Sequence, residues 1–452
     1  MEITSNRLQS RSGAEASKAA LTRIIEDADA GHLKEIEILW PDHQGHPRGK
    51  RVPVSHFLEK AGGSGIAFCD VVLAWDVLGD VVEGMRASNW ETGMPDIVAR
   101  PDLSTFRYLP WRSDAGVVLC DLVDHHGQPV PTAPRSVLHR AVERLAELGY
   151  TASVGVEIEF YLLDAASKPI VDGLQAYSLE RANAMEPVFG ALTRGLDGFV
   201  DVEAGNVEYG PGQCEFNIRH DEPLRVAGDA TAFRYAVREI ARRAGAGVTF
   251  MAKPFNVYSG SSMHLHVSLW RDGKPAMGLD GDGRENDVMR HAAAGILANL
   301  PGLALYQAPT VNGYRRFEPD SFAPTTSGWS VDNRTSALRS LREGPSSTRL
   351  ELRTPGADAE PHWAIASLLA AVVLGLEDAA EPPAQGVGNM YGVGDPLPLT
   401  LAEAIEAAED NPRIIEILGK DAAADYATLA RAEWRNFIST VSDWDRDRYL
   451  NI

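Results

Sequence analysis

The 452-residue sequence predicts an α+β fold with a large sheet. Residues 153–162, 214–218, 262–270 and 348–353 alternate with a period of two, as strands do. Longer segments of helical period, 227–244 and 363–376, lie between and after them. The chain is also longer than one compact core usually holds, so more than one domain is expected.

In chain order, residues 1–13 are polar and lack the apolar centre of a secretion leader, which with the absence of a long apolar run predicts a cytoplasmic protein. Residues 17–29 read as a helix, and 35–40 as a strand entering the turn-rich stretch 41–49. Short strands and loops follow to Asp124. His125-His126-Gly127-Gln128-Pro129 is a turn, and Pro134 opens an amphipathic helix through Leu148. The expected division is therefore an N-terminal domain at 1–128 and a second at 129–452. The charged tail 401–449 reads as helical and is expected to pack on the surface or between subunits.

Composition narrows the function. A net charge of −20 repels phosphate backbones and anionic lipid, which excludes nucleic-acid and membrane partners. Hydrophobic residues at 44% and charged residues at 23% suit a globular chain. Cys69, Cys120 and Cys214 are too few and scattered for a disulfide framework or a CxxC metal site. Gly45-x-x-x-Gly49-Lys50 is one residue short of a phosphate loop and is followed by Arg51, so it is set aside.

Four strand-like segments place functional groups at i and i+2, on one face of a strand. They hold Glu157/Glu159, His264/His266, Glu351 with flanking Arg349 and Arg353, and the pair Glu208 and Glu215. Any one pair alone is ordinarily a solvated face or a salt bridge. Inside apolar strands such as Val154-Gly155-Val156-Glu157-Ile158-Glu159-Phe160, however, same-face carboxylates are costly unless paired or metal-bound. Five carboxylates and an imidazole on one sheet face form an oxygen-rich site for Mg²⁺ or Mn²⁺ and not for Zn²⁺.

The order of motifs resembles the glutamine synthetase family from about residue 35 onward. The matching pieces are Gly155-Val156-Glu157-Ile158-Glu159-Phe160, Glu208-Tyr209-Gly210-Pro211-Gly212-Gln213-Cys214-Glu215, Thr249-Phe250-Met251-Ala252-Lys253-Pro254, and 260–269. Asn312-Gly313-Tyr314-Arg315-Arg316, Asp332-Asn333-Arg334 and Arg349-Leu350-Glu351-Leu352-Arg353 complete them. The resemblance implies an N-terminal β-grasp domain and a C-terminal catalytic domain with a large curved antiparallel sheet. It also implies a dodecamer of two hexameric rings, with active sites between neighbouring subunits.

By position, the resemblance implies that Glu159, Glu208 and Glu215 hold a first metal and that Glu157, His264 and Glu351 hold a second. His266, Ser268 and Arg339 match nucleotide contacts. Arg334 and Arg339 match the arginines that clamp the transferred phosphoryl group, and Gly260, Arg316, Arg334 and Arg353 match the glutamate pocket. The implied reaction uses ATP and two or more Mg²⁺ or Mn²⁺ ions to activate the γ-carboxylate of glutamate as an acyl phosphate.

Two departures concern the nitrogen substrate. Where the family has Asp-Gly-Ser-Ser, this chain has Phe68-Cys69-Asp70-Val71-Val72, so the aspartate falls on Cys69 or, with a one-residue slip, on Asp70. Where the family has Gly-Tyr-Glu-Ala-Pro, this chain has Asp320-Ser321-Phe322-Ala323-Pro324, and the glutamate that receives a proton from ammonium becomes Phe322. A phenyl ring removes counter-charge and hydrogen bonds from an ammonium site while offering apolar surface at roughly 25 cal/mol per Å² buried. Cys69 and Phe322 are thus expected in an amine pocket.

These departures resemble the bacterial branch that makes γ-glutamyl amides, most nearly the γ-glutamylethanolamide synthetases. The implied activity is ATP-dependent joining of glutamate to ethanolamine, another small alkylamine or a polyamine. A true glutamine synthetase using ammonium and a catalytically inactive relative are the alternatives. The proton acceptor for the amine stays open among Asp70, a metal-bound oxygen and Glu208. Tyr391 lies near a position adenylylated in some family members, but its surroundings differ and carry no regulatory reading.

Overall fold

The computed structural model describes residues 13–61, 64–173, 176–344 and 346–452. The stretch before Gly13, on which the expectation of no secretion leader rests, lies outside the described residues. Helix α1 (Gly13–Asp29) precedes strands β1 (Glu35–Pro41) and β2 (Pro47–Pro53), then α2 (Val54–Ala61). Strands β3 (Ile66–Cys69), β4 (Asp96–Pro101), β5 (Arg107–Tyr108) and β6 (Ala115–Val123) complete a first sheet. Its order is β2-β1-β6-β4-β3, with β5 beside β6, and β1 runs parallel to β6. Ala20 and Ile24 of α1 pack with Ile36, Ile38, Trp40 and Phe57 in a core of their own. A mixed sheet gripping a helix is the β-grasp arrangement expected.

The second part runs α3 (Pro134–Glu147), β7 (Thr151–Leu163), α4 (Leu179–Ala184), α5 (Glu186–Leu196), β8 (Val202–Val207), β9 (Gln213–Asp221) and α6 (Pro223–Arg243). It continues with β10 (Gly247–Thr249), β11 (Met263–Arg271), β12 (Lys274–Pro275), α7 (Asp287–Gln307), β13 (Trp329–Val331), β14 (Leu338–Leu341) and β15 (Arg349–Leu352). Helices α8 (Pro361–Glu377), α9 (Leu401–Glu409), α10 (Pro412–Leu418), α11 (Lys420–Ser439) and α12 (Asp443–Tyr449) close the chain. The strands form a sheet of order β13-β14-β15-β11-β7-β9-β8, antiparallel except for the β13/β14 pair. Val154, Val156, Ile158 and Phe160 of β7 face the main core with Leu265 and Val267 of β11, leaving the intervening positions for the opposite face.

Helix α8 is apolar all round, and residues 361–375 are all buried, so it forms the hub of the helical layer. Trp363 stacks on Tyr306 of α7 with ring centroids 5.3 Å apart. The expectation that the tail packs at the surface or between subunits needs correction. Leu401, Ile405, Ile414, Leu418, Ala422 and Tyr426 join the main core, and only α12 among the tail helices contributes no buried residue. Helical period marks an apolar stripe but not what that stripe meets.

Polar bridges fix the first sheet to the second part. Arg107 forms a buried ion pair with Asp229 of α6 at 2.8 Å and donates to the Phe199 carbonyl at 2.9 Å. The Tyr235 hydroxyl of α6 donates to Glu37 of β1 at 2.6 Å. Among the described residues no helix is long and apolar enough to cross a membrane.

Helices α7 and α8 approach through glycine. A Cβ on Gly375 would lie 2.0 Å from the His291 carbonyl oxygen, and one on Gly295 would lie 2.1 Å from the Ala371 carbonyl oxygen. Both obstacles are backbone, so the helices must separate to admit a methyl group. Gly375→Ala should therefore destabilise the protein by about 1–3 kcal/mol or more, the cost of overpacking a filled core. Thermal unfolding would register this as a lower melting temperature, and an unchanged one would contradict the packing described.

Candidate active site

Strand register assembles the site. Between β7 and β11, Glu157 pairs with His264, while Glu159 pairs with Glu215 between β7 and β9. His266 pairs with Glu351 between β11 and β15, and Glu351 pairs with Arg339 between β15 and β14. Directly opposed residues of an antiparallel pair share a face. Groups more than a hundred residues apart in the chain thus meet on one surface.

Two groups of ligand atoms lie within 4.8 Å of one another: Glu157, His264 and Glu351, and Glu159, Glu215 and His264. The first is the trio read from the sequence for one metal. In the second, His264 takes the place expected for Glu208. The Glu208 carboxylate accepts from Asn206 Nδ2 at 2.9 Å and from the Tyr209 amide at 3.3 Å. Oxygen-rich donor sets with a single imidazole fit hard cations such as Mg²⁺ or Mn²⁺.

The electrostatics divide the carboxylates. Burial, together with Glu208, pushes Glu159 up to about 8, and burial with Glu157 and Glu159 pushes Glu215 up to about 9. Glu208 is raised as well, chiefly by burial. Burial also opposes the charge on Glu351, yet Arg353, His266 and His264 outweigh it and lower the group to about 2. Glu157 is half-buried, and although burial opposes its charge too, the His264 and His266 rings at 3.3 and 3.1 Å from its oxygens hold it well below the usual range. Burial and Arg353 push His264 down, while Glu157 and Glu351 oppose that shift. Half of the cluster is charge-balanced by protein groups, and half is not.

Arginines border the balanced half. Arg339 donates to Glu351 at 2.7 Å and to Asp332 at 3.0 Å, and Arg353 also donates to Glu351. Arg316 is buried and spans from the Thr354 carbonyl to the Ser262 hydroxyl, at 3.0 Å each. Its stem crosses Gly260, where a Cβ would lie 2.4 Å from Arg316 Cγ and 2.8 Å from the Ala252 carbonyl oxygen, so no side chain fits there. The Nε atoms of Arg316 and Arg353 are buried without a hydrogen-bond partner among the described residues. They are donors fitted to an incoming carboxylate.

Behind Glu157 lies a cavity of about 270 Å³ lined by His266, Ser268, His220, Asn217, Ser347 and Arg349. The Ser268 hydroxyl accepts from Trp270 Nε1 at 3.1 Å, and Arg349 donates to His266 Nδ1 at 3.2 Å. Arg334 is exposed and makes no hydrogen bond or ion pair among the described residues.

Phe322 lies on a loop whose backbone is left-handed at Asp320 (φ 62°) and at Phe322 itself (φ 61°). Non-glycine residues there cost about 1–3 kcal/mol each unless their surroundings hold them. The Phe322 amide donates to the Tyr391 hydroxyl at 2.7 Å, and its ring stacks on Tyr209 at 5.5 Å between centroids. Tyr209 adjoins Glu208, so the aromatic pair borders the uncompensated carboxylates.

Cys69 and Asp70 are not brought to this surface by the contacts of their own chain. Cys69 ends β3 and donates to the Met94 carbonyl at 3.3 Å, while Asp70 is buried and accepts from the Ser88 hydroxyl at 2.7 Å. Among residues without an assigned role in the sequence, Gln213 stands out. Its side-chain amide nitrogen, Nε2, donates to Glu159 at 3.2 Å and to the Gly260 carbonyl at 2.9 Å, tying the carboxylates to the Arg316 pocket. Its position two residues before Glu215, on the same strand face, was the available signal. Tyr209 and Tyr391 carried none, because only the folded chain brings them to Phe322.

Comparison with known proteins places the fold and the family. The family model described as glutamine synthetase, catalytic domain, matches residues 131–449. The chain is 37% identical over 433 residues to the γ-glutamylethanolamide synthetase of Streptomyces coelicolor, covering 93% of each. It is 32% identical to the glutamate–isopropylamine ligase of a Pseudomonas species, covering 97% of this chain and 99% of that one. The solved structure of a GmaS/ADP complex superposes with a TM-score of 0.85 at 28% identity, covering 95% of this chain and 99% of the other.

The raised carboxylates set a pH dependence for the cation-free protein. An acid whose folded pKa exceeds its unfolded value binds more protons when folded, so stability falls as pH rises from the unfolded value toward the folded one. For Glu159 and Glu215 that window runs from the ordinary glutamate value of 4.5 to about 8 and about 9. In EDTA the melting temperature should fall by several degrees between pH 6 and pH 9, and saturating Mg²⁺ or Mn²⁺ should largely abolish the decline. A curve unaffected by cations would contradict the charge division.

Proposed function

The chain belongs to the glutamine synthetase family of ligases, and from that premise we propose that it joins the γ-carboxylate of glutamate to a small primary amine with ATP. The observation that carries the choice of amine is the Phe322–Tyr209 stack beside Glu208. Ammonium needs a carboxylate cage, whereas two aromatic faces offer apolar area and a cation–π surface to an alkylammonium group. The names of the two relatives, an ethanolamide synthetase and an isopropylamine ligase, favour amines of two or three carbons.

In this reading Glu159, Glu208 and Glu215 hold one cation, and Glu157, His264 and Glu351 hold another. Bound there, Mg²⁺ or Mn²⁺ would neutralise the nucleotide phosphates and the developing charge on the transferred group. The chain's own residues do the rest. His266 and Ser268 border the cavity that takes ATP, in keeping with ADP in the similar solved structure, and Arg339 reaches the nucleotide from its place beside Glu351. Arg316 and Arg353 turn their unpartnered Nε donors to the glutamate carboxylates over the bare backbone of Gly260. Arg334 and Arg339 clamp the phosphoryl group as it passes to the γ-carboxylate.

The amine then attacks the acyl phosphate and must lose a proton, since an alkylamine resembles lysine with a pKa of about 10.4. With Glu208 engaged at the cation, Asp70 is the carboxylate left to take that proton. Asp70 and Cys69 reach the site from the N-terminal domain, taken as residues 1–128, of an adjacent copy. That domain would sit against the catalytic part, 129–452, of its neighbour in a dodecameric double ring in the cytoplasm.

Two substitutions test the reading. Glu351→Gln, like Glu159→Gln, should lower kcat by about 10²-fold or more at saturating Mg²⁺ with the fold intact. Turnover like that of the wild type in either variant would remove the metal assignment. For the amine, kcat/KM should favour ethanolamine or isopropylamine over ammonium in the wild type. Phe322→Glu should shift that ratio at least tenfold toward ammonium, by restoring a carboxylate and burying a charge where an alkyl group packs. A wild type that prefers ammonium, or a folded variant with the same ratio, would sink the proposal.

A further inference from the structure

A second cavity, of about 250 Å³, lies away from the carboxylate surface between α6, the N-terminal loops and α11. Its charged lining falls into two groups. Arg234 and Arg238 stand one helical turn apart on α6, and neither forms an ion pair among the described residues. Arg234 donates to the Ala357 and Ala359 carbonyls at 2.6 Å each, and both guanidiniums lie over the Phe250 ring, at 5.7 and 4.8 Å. Asp76, from the N-terminal loop, and Glu433, from α11, supply carboxylates to the same cavity, close enough to each other that Asp76 adds to the effect of burial in raising Glu433. Neither of the two pairs with either arginine. Apolar wall is supplied by Val77, Val248, Met251 and Leu429.

Buried polar atoms with nothing to bond point to the same space. Trp363 Nε1, which can only donate, donates to His43 Nδ1 at 3.3 Å. Nδ1 is thereby the acceptor, so in the neutral ring Nε2 carries the hydrogen. That Nε2 is buried without a partner among the described residues, as are Arg234 Nε, the Tyr426 hydroxyl and Asp358 Oδ1. His43, Arg234 and Tyr426 are each at most 3% exposed, and all four residues line the cavity. Buried donors and acceptors are ordinarily satisfied, and opposite charges sharing a small cavity ordinarily collapse onto each other. Here two arginines and the three carboxylates of Asp76, Glu433 and Asp358 line one cavity without forming an ion pair among the described residues.

We propose that this cavity is a binding site for a small zwitterion of the α-amino-acid class. Its carboxylate would be gripped by Arg238 and Arg234 and its ammonium group drawn to Glu433 and Asp76. Guanidinium forks suit carboxylates with two hydrogen bonds, and the volume is that of a pocket for a molecule of this size. A simple anion would satisfy the arginines and leave the acids unmatched. A simple amine would do the reverse.

The test uses the full chain in EDTA without ATP. Calorimetric titration is run with glycine, L-serine, L-glutamate, L-glutamine and γ-glutamylethanolamide, and with acetate and ethylamine as single-charge probes. At least one amino acid should bind with a Kd below about 10 mM, and acetate and ethylamine at least tenfold more weakly. Arg238→Met, which keeps the stem over Phe250, and Glu433→Gln should each weaken that binding at least tenfold. Both variants should keep wild-type turnover at saturating substrates, since neither residue belongs to the catalytic surface. Absence of binding by every amino acid, binding of acetate as tight as theirs, or affinity unchanged in both variants would overturn the proposal. An affinity that persists in both variants but is lost in Arg316→Met would place the ligand in the catalytic pocket instead, leaving the assignment of that pocket standing.

Discussion

Like charges gathered on one buried sheet face are the constraint around which the rest of the molecule is arranged. Glu157, Glu159, Glu215 and Glu351 are opposed to one another or to the histidines by strand register, and they cannot all be ionised there without positive charge. Arg339, Arg353 and the nearby rings of His264 and His266 balance the side nearer β15. Toward β9 the carboxyls of Glu159 and Glu215 are driven up instead. A surface that keeps unbalanced acids at the cost of stability is one organised to receive cations. The neighbouring Arg316 and Arg353 keep buried Nε donors without a partner among the described residues, which suits the proposed binding of carboxylates there.

The scaffold explains how such a surface is tolerated. Every functional strand presents its other face to an apolar core that continues through α6 to α8, so the register is fixed by burial on the far side. A slip of one residue would exchange Glu157 and Glu159 with Val156 and Ile158, placing carboxylates in the core. The same logic holds for His264 and His266 against Leu265 and Val267. At the rim the arrangement is looser. Phe322 keeps a left-handed backbone through one hydrogen bond to Tyr391 and one ring contact with Tyr209, so the residue on which the proposed amine preference rests is held by few interactions.

Much of this was legible in the sequence because period-two alternation settles which side chains share a face without knowledge of the partner strand. The strand limits expected at 153–162 and 262–270 and the helix at 134–148 fall within a residue or two of those observed. The order of motifs supplied the fold. What alternation cannot supply is which strands are neighbours, and so the sharing of His264 between two ligand groups, the Arg339–Glu351 pair and the bridging of Gln213 emerged only from the register. The tail was misplaced for a related reason: its helical stripe was visible, but its partner, the apolar helix α8, lies in a different part of the chain. Cys69 and Asp70, expected at the amine site, are held by their own chain at the edge of the N-terminal sheet.

The central claim is that glutamate is activated as an acyl phosphate before the amine attacks. In that chemistry a γ-carboxylate oxygen bonds to the γ-phosphorus of ATP, and the amine later displaces that oxygen with the phosphate. The direct measurement supplies glutamate labelled with oxygen-18 in both γ-carboxylate positions, together with ATP and ethanolamine or isopropylamine, and weighs the products by mass spectrometry. The expected result is inorganic phosphate carrying one labelled oxygen and an amide retaining the other. Unlabelled phosphate released alongside the amide would contradict it.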